Sequence, residues 1–253
     1  MGAGTSATRI ECAFPGVTIA ARILEELYTG EDNLVLIEAA VESLEAALAA
    51  QEGGADRIEL CTDLAHGGTT PELQLLRNCK SQLKIPVFVL VRPRSGDFVY
   101  TDAEHDSLVH QIQRAKNAGA HGIVTGELND ARQVAESRMS ALLDAARPLP
   151  VTFHRAFDEC LDLGAALEVL IRLGVNRVLT SGGARTAADG VERLERLVTQ
   201  AKGRIEILPG GGVTAQNVAD IVQRTGAREV HFSVQDAHKV ELVRQALSSN
   251  FAP

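Results

Sequence analysis

The sequence predicts an α/β fold: a single (β/α)8 TIM barrel with an extra N-terminal helix. Three observations predict it. Eight short apolar runs recur along the chain, mostly 20 to 35 positions apart. Stretches of helical period separate them. The length, 253 residues, is that of one such barrel. An open doubly wound sheet would more often be shorter, or carry a G-x-G-x-x-G turn after its first strand; no such turn follows the first run here.

The runs are Leu34–Ala39, Arg57–Cys61, Pro86–Arg92, Gly122–Gly126, Val151–His154, Arg177–Thr180, Arg204–Leu208 and Glu229–Ser233. Most are β-branched or Leu-rich and start just after Gly, Pro or a charged residue, as buried parallel strands do. Between them, Val41–Gln51 puts Val41, Leu44 and Leu48 on one helical face, and Ala103–Ala118 does the same with Leu108, Ile112 and Ala115. Ala165–Leu173, Val191–Ala201 and Ala215–Arg224 repeat the pattern, and a last helix follows the eighth run. Gly53-Gly54, Gly119, Gly174 and Gly226 stand between helix and next strand, where glycine takes the left-handed conformation that stops a helix.

Residues 1–33 precede the first strand and carry Ile19, Ile23, Leu24 and Leu27 at helical spacing. This added helix has two readings, packing over the barrel bottom or joining a partner. The expected organisation is an extension over 1–33, a barrel over 34–248 and a tail over 249–253. Met1-Gly2 with Ser6 fits the short, loose pattern for N-myristoylation of Gly2.

The formal net charge of -8 argues against a nucleic-acid partner. No apolar run approaches the roughly 20 residues of a membrane span, and no basic-then-apolar leader opens the chain. Cys12, Cys61, Cys79 and Cys160 form no Cys-x-x-Cys pair, a pattern of reduced thiols that points to the cytoplasm. The chain has 20 Arg against 5 Lys. That bias suits planar recognition of carboxylate or phosphate, and equally reflects a GC-rich genome.

In such a barrel the working face lies at the C-terminal ends of the strands. Those ends supply Glu38, Glu59 with Cys61, Arg92 with Arg94, and His154 with Arg155 and Asp158. They also supply Ser181 before Gly182-Gly183, the run Gly210-Gly211-Gly212, and His231. Strand period two puts Glu59 and Cys61 on one face, and Arg92 and Arg94 on one face. Buried ions cost several kcal/mol unless paired, so these charges either neutralise one another across the barrel top or hold a ligand. The glycine runs either turn the chain sharply or offer bare N–H groups to an anion.

Three chemistries are open to residues of these types. Lys80, Lys84, Lys116, Lys202 and Lys239 lie on helices or just before strands, which disfavours a Schiff base. A His-rich zinc site is weak, since His154 and His231 stand alone on their strands and His66 is a lone loop histidine. Cys61 is well placed for Cu(I), which takes soft sulfur ligands and usually two of them. The strand-one neighbour is Ala40, and a buried cysteine also serves as small apolar filler.

Six ordered segments carry a resemblance. They are Gly53–Cys61, Gly67–Pro71, Val91–Tyr100, Pro150–Asp158, Val178–Gly182 and Pro209–Gly212. Over about Leu34 to Ser233 the chain resembles the CutC copper homeostasis family. The resemblance implies a TIM barrel, a cytoplasmic homo-oligomer and a link to copper. Of the two sulfur ligands proposed in some members, one matches Cys61 and the other falls at Ala40. The segment His231-Phe-Ser-Val-Gln-Asp236 also departs from the family pattern, and residues 1–33 have no counterpart in it.

Two functions follow as expectations. One is a cytosolic copper-homeostasis or copper-binding protein with Cys61 as ligand. The other is an enzyme for a small anionic metabolite. In it His154 is the acid or base, oriented by a carboxylate such as Asp158 or Glu59. Arg92, Arg94 and Arg155 clamp the anion, with Ser181, Gly210–Gly212 and His231 assisting.

Overall fold

The structure, a computed structural model, describes residues 35–250. The expected helix in residues 1–33, the Gly2 pattern and Cys12 lie outside the described residues.

Strand and helix alternate throughout. The order is β1 (Leu36–Val41), α1 (Leu44–Glu52), β2 (Arg57–Leu60), α2 (Leu73–Gln82), β3 (Val87–Leu90), α3 (Asp102–Asn117), β4 (Gly122–Thr125) and α4 (Glu136–Ala146). It continues with β5 (Val151–Phe153), α5 (Leu163–Leu173), β6 (Arg177–Thr180), α6 (Val191–Ala201), β7 (Glu206–Pro209), α7 (Val218–Thr225), β8 (Glu229–Ser233) and α8 (Ala237–Asn250). All eight strands are parallel in the order β7-β6-β5-β4-β3-β2-β1-β8. A single parallel bridge between Gly210 and His231 joins the two ends of that order, so the sheet closes into the predicted barrel.

The strands are buried on both faces because helices cover the outside and side chains fill the inside. Ile37, Ile58, Val89, Ile123, Phe153, Val178, Ile207 and Val230 belong to the main apolar cluster shared with the helices. A smaller cluster of Cys61, Phe88, Leu90 and Val124 is separate from it. Close approach decides one glycine. A Cβ on Gly122 in β4 would lie 2.5 Å from the Phe88 ring, so this strand needs glycine there for Phe88 to fit.

Local signals fix the helices. Thr101 and Glu104 form a capping box at the start of α3, each side chain accepting from the other's backbone N–H. The Asp162 carboxylate accepts from Ala165 N at the start of α5, and Gly174 ends that helix with φ 81°. Two helices, α2 and α4, were not predicted. They bury only Leu76 and Cys79, and Met139, Leu142, Leu143 and Ala146, short stripes between polar residues. Helix α8 runs to Asn250, so the barrel's last element extends into the expected tail.

Two loops shape the mouth. After β3 the chain carries Arg92 and Phe98, and after β5 it makes a 3-10 turn, Arg155–Glu159. Arg92 staples the first of these: its guanidinium donates to the carbonyls of Gly67, Gly68 and Gly96 at 3.1, 3.0 and 2.7 Å.

Candidate functional site: the charged lumen and its mouth

The lumen is charged from floor to rim. At its floor Arg57 of β2 donates from Nε to Glu38 Oε2 at 2.5 Å and from Nη2 to Glu229 Oε2 at 2.6 Å. Arg177 of β6 donates to both Glu229 oxygens, at 2.7 and 3.2 Å. Both guanidinium groups lie over the Phe88 ring, 5.0 and 5.5 Å from its centroid. Burial opposes ionisation of Glu229, but Arg177 and Arg57 outweigh it and bring its pKa down to about 2. Sequence reading missed Arg57, Arg177 and Glu229 as lumen residues. Each starts a strand, where a charge reads as loop; two residues on from Arg57 and Glu229, on the same face, come Glu59 and His231.

Above the floor, three neighbouring strands bring Glu38, Glu59 and His231 together. In the ladders Glu38 stands beside His231, and Ala40 beside Glu59. His231 Nδ1 lies 2.8 Å from Glu38 Oε1 and 3.6 Å from Glu59 Oε2. Burial resists ionisation of Glu38, yet Arg57 and His231 hold it far below the usual carboxylate range. Glu59 differs: burial pushes its pKa up to about 7, His231 opposes and the Glu38 charge adds to the rise. Its Oε2 is buried with no hydrogen-bond partner among the described residues.

A cavity of about 470 Å³ opens over this cluster at the C-terminal end of the barrel. Glu59, Arg92, His154, Arg155, Asp158, Gly211 and His231 line it together with Leu90, Phe98 and Leu179. The sequence reading thus brought seven of its candidates to one cavity. His66 also reaches its rim.

The roles within the cavity differ from those expected. His154 Nδ1 accepts a hydrogen bond from Ala156 N at 3.2 Å, which makes His154 the N-cap of the 3-10 turn. Burial, with Arg92 adding to it, lowers the His154 pKa to about 3. The ring is therefore neutral, with its proton on Nε2 and pointing away from Ala156. Nε2 is buried without a partner among the described residues. Asp158 does not orient His154. Its carboxylate accepts from Thr180 Oγ1 at 2.5 Å, Ser181 N at 3.0 Å, Gly183 N at 2.8 Å and Arg155 Nε at 2.8 Å. The anion cradle expected after strand six is filled by this internal carboxylate.

Other candidates stand apart from the cavity. Arg94 pairs outside it with Glu104 at 2.6 Å and Asp97 at 3.0 Å. The inference from period two failed because β3 ends at Leu90, before either arginine. Ser181 is buried, donating to Ala184 O at 2.5 Å and accepting from Arg155 Nη2 at 2.7 Å. In the Gly210–Gly212 loop, Gly210 N donates to Thr180 O, and a Cβ on Gly211 would lie 3.1 Å from the Arg155 guanidinium. That loop makes room for Arg155. Helix α7 starts only at Val218 rather than at the expected Ala215, so the glycines do not sit at a helix N-terminus.

Cys61 is fully buried and does not line the cavity. Its Sγ lies 3.5 Å from the Val41 carbonyl. Burial, with Glu59 adding to it, pushes the thiol pKa far up. Cys79 and Cys160 belong to the other apolar cluster. Among the described residues no second sulfur joins Cys61: Ala40 offers none, and burial disfavours the thiolate.

Comparison with known proteins agrees with this barrel. The CutC family model matches residues 35–236. A human protein described as a copper homeostasis protein cutC homolog is 48% identical over 206 residues, 81% of this chain and 76% of that one. A CutC family protein of Mesorhizobium japonicum is 46% identical over 205 residues, 81% of this chain and 80% of that one. Among solved structures, CutC from Streptococcus agalactiae superposes with a TM-score of 0.75 at 34% identity, covering 78% of this chain and 98% of that one. A thiamine phosphate pyrophosphorylase from Pyrococcus furiosus, at 16% identity and TM-score 0.58, shares the fold alone. The family model spans nearly the whole described barrel, and the human relative is 48% identical over 206 residues: the chain belongs to the CutC family.

Proposed function

We propose that the protein serves copper homeostasis, with the copper ion as its cargo. The observation that carries this reading is the 48% identity to a human protein described by that role. The cytoplasm is its proposed location, which suits the free buried thiols of Cys61, Cys79 and Cys160. A homo-oligomer is its proposed state, as the family resemblance implies. Copper handling in this reading does not depend on Cys61, whose buried thiol has no second sulfur beside it among the described residues.

The test is cellular. In a host stripped of its own CutC, expression of this chain is expected to change total cell copper and growth at raised copper, and a Cys61→Ala variant to act as wild type. Equal copper content with and without the chain would overturn the proposal.

One observation favours a second reading, an enzyme for a small carboxylated or phosphorylated metabolite. Nε2 of His154 is a buried donor without a partner in a cavity that Arg155 also lines. In that reading His154 donates a hydrogen bond as a neutral ring, and Arg155 supplies the positive charge. Thermal-shift screening against organic acids and sugar phosphates tests it: no anion stabilising wild type more than Arg155→Ala would end it.

A further inference from the structure

We propose that Glu38, Glu59 and His231 form a divalent metal centre with an oxygen, oxygen and nitrogen donor set, distinct from any sulfur site. One ligand atom from each residue lies within 4.8 Å of the others. The 2.8 and 3.6 Å separations from His231 Nδ1 to the two carboxylates are close to those between ligands that share one ion about 2.0–2.2 Å from each. Three adjacent strands hold the donors, so the backbone sets their spacing.

A second observation points to a ligand. Glu59 is 4% exposed, and its Oε2 has no hydrogen-bond partner among the described residues. A buried carboxylate oxygen without a partner is costly. Glu59 and His231 both line the mouth cavity, through which an ion can arrive. The floor supports the same end. Arg57 holds Oε2 of Glu38, leaving Oε1 towards His231, as an outer group orients a ligating carboxylate.

The chemistry of the donors selects the ion. Carboxylate and imidazole suit borderline divalent ions such as Zn(II) or Mn(II), whereas Cu(I) needs soft sulfur. Three protein ligands leave coordination positions open towards the cavity, the arrangement of reactive rather than structural sites. The proposal goes beyond the copper reading and stands without it.

The test uses the full chain, stripped with a chelator and titrated with Zn(II) against a fluorescent competitor. Wild type is expected to take up one equivalent. Glu59→Gln, nearly isosteric, is expected to weaken binding at least ten-fold, the lower end of what even an outer-shell change costs. Cys61→Ser is expected to bind as wild type. Because a variant can misfold, wild type is also loaded with Co(II). Visible d–d bands without a sulfur charge-transfer band are the expected spectrum. No stoichiometric Zn(II) uptake, unchanged affinity in a folded Glu59→Gln, or a sulfur band would each overturn the proposal. Neither metal is copper and no cell is involved, so this result and the copper-balance result fail separately.

Discussion

Arg57 Nη2 and Glu229 Oε2 meet at 2.6 Å across the floor of the barrel. Their strands, β2 and β8, flank β1 on either side, and both side chains are 3% exposed or less. Glu229 also accepts from Nε and Nη2 of Arg177, on β6 beyond β7. One carboxylate thereby ties strands that no backbone ladder joins.

Removing that charge leaves two buried guanidinium groups with fewer partners. Breaking a buried pair by deleting one member costs about 3–5 kcal/mol. Glu229→Gln is therefore expected to lower the urea midpoint by that much stability with an unchanged slope. A loss below about 1 kcal/mol would show that the floor tolerates the bare arginines.

His154 sets an acid limit. Its pKa is lowered from 6.5 to about 3 in the folded protein. The unfolded chain thus binds a proton that the folded ring refuses. Stability from this group is complete above about 6.5 and is lost as pH falls towards 3, by up to about 1.4 kcal/mol per pH unit. His154→Asn keeps a side-chain acceptor for Ala156 N and removes the titration. Its stability curve is expected to be flatter than wild type between pH 6 and 4, measured by urea unfolding; parallel curves would refute the assignment.

The mouth was legible in the sequence because barrel chemistry concentrates at strand C-termini. Glu59, His154 and His231 are legible there from their places at the ends of the apolar runs. The floor was not legible. Arg57, Arg177 and Glu229 open their strands, where a charge reads as the edge of a loop. Roles were harder than places. Asp158 stands beside His154 in sequence, yet the turn between them points it at the backbone after β6. Arg92 looks like a free anion clamp, yet three carbonyls take its Nη1 and Nη2, and Nε alone is without a hydrogen-bond partner among the described residues. A sequence shows which charges share an end, but the loops decide which are already spent.

The thiols give a sharper reading of Cys61. Cys61, Cys79 and Cys160 are buried, and burial raises the pKa of each. Thiolate is the reactive form. In a Cys12→Ser background, a disulfide reagent at neutral pH is expected to leave all three unmodified in native protein and to modify all three in denaturant. Rapid native labelling of Cys61 would show an accessible sulfur and reopen a thiolate role.

Asp158 holds the loop that carries Ser181 and Gly183. Its two oxygens accept from two backbone N–H groups, the Thr180 hydroxyl and Arg155. Asn keeps the shape but retains one accepting oxygen and turns donors towards donors. Hydrogen bonds to a charged group contribute about 1.5–3 kcal/mol each, and the loop can recover some of them with water. Asp158→Asn is expected to cost about 2–4 kcal/mol and to release Arg155 from its tether. Amide hydrogen exchange at Ser181 and Gly183 is expected to accelerate by more than ten-fold, while exchange in β1 and β2 follows only the global loss. If those two amides keep their wild-type protection, the loop is held by its own turn, and Asp158 is then open to a role in the cavity it borders.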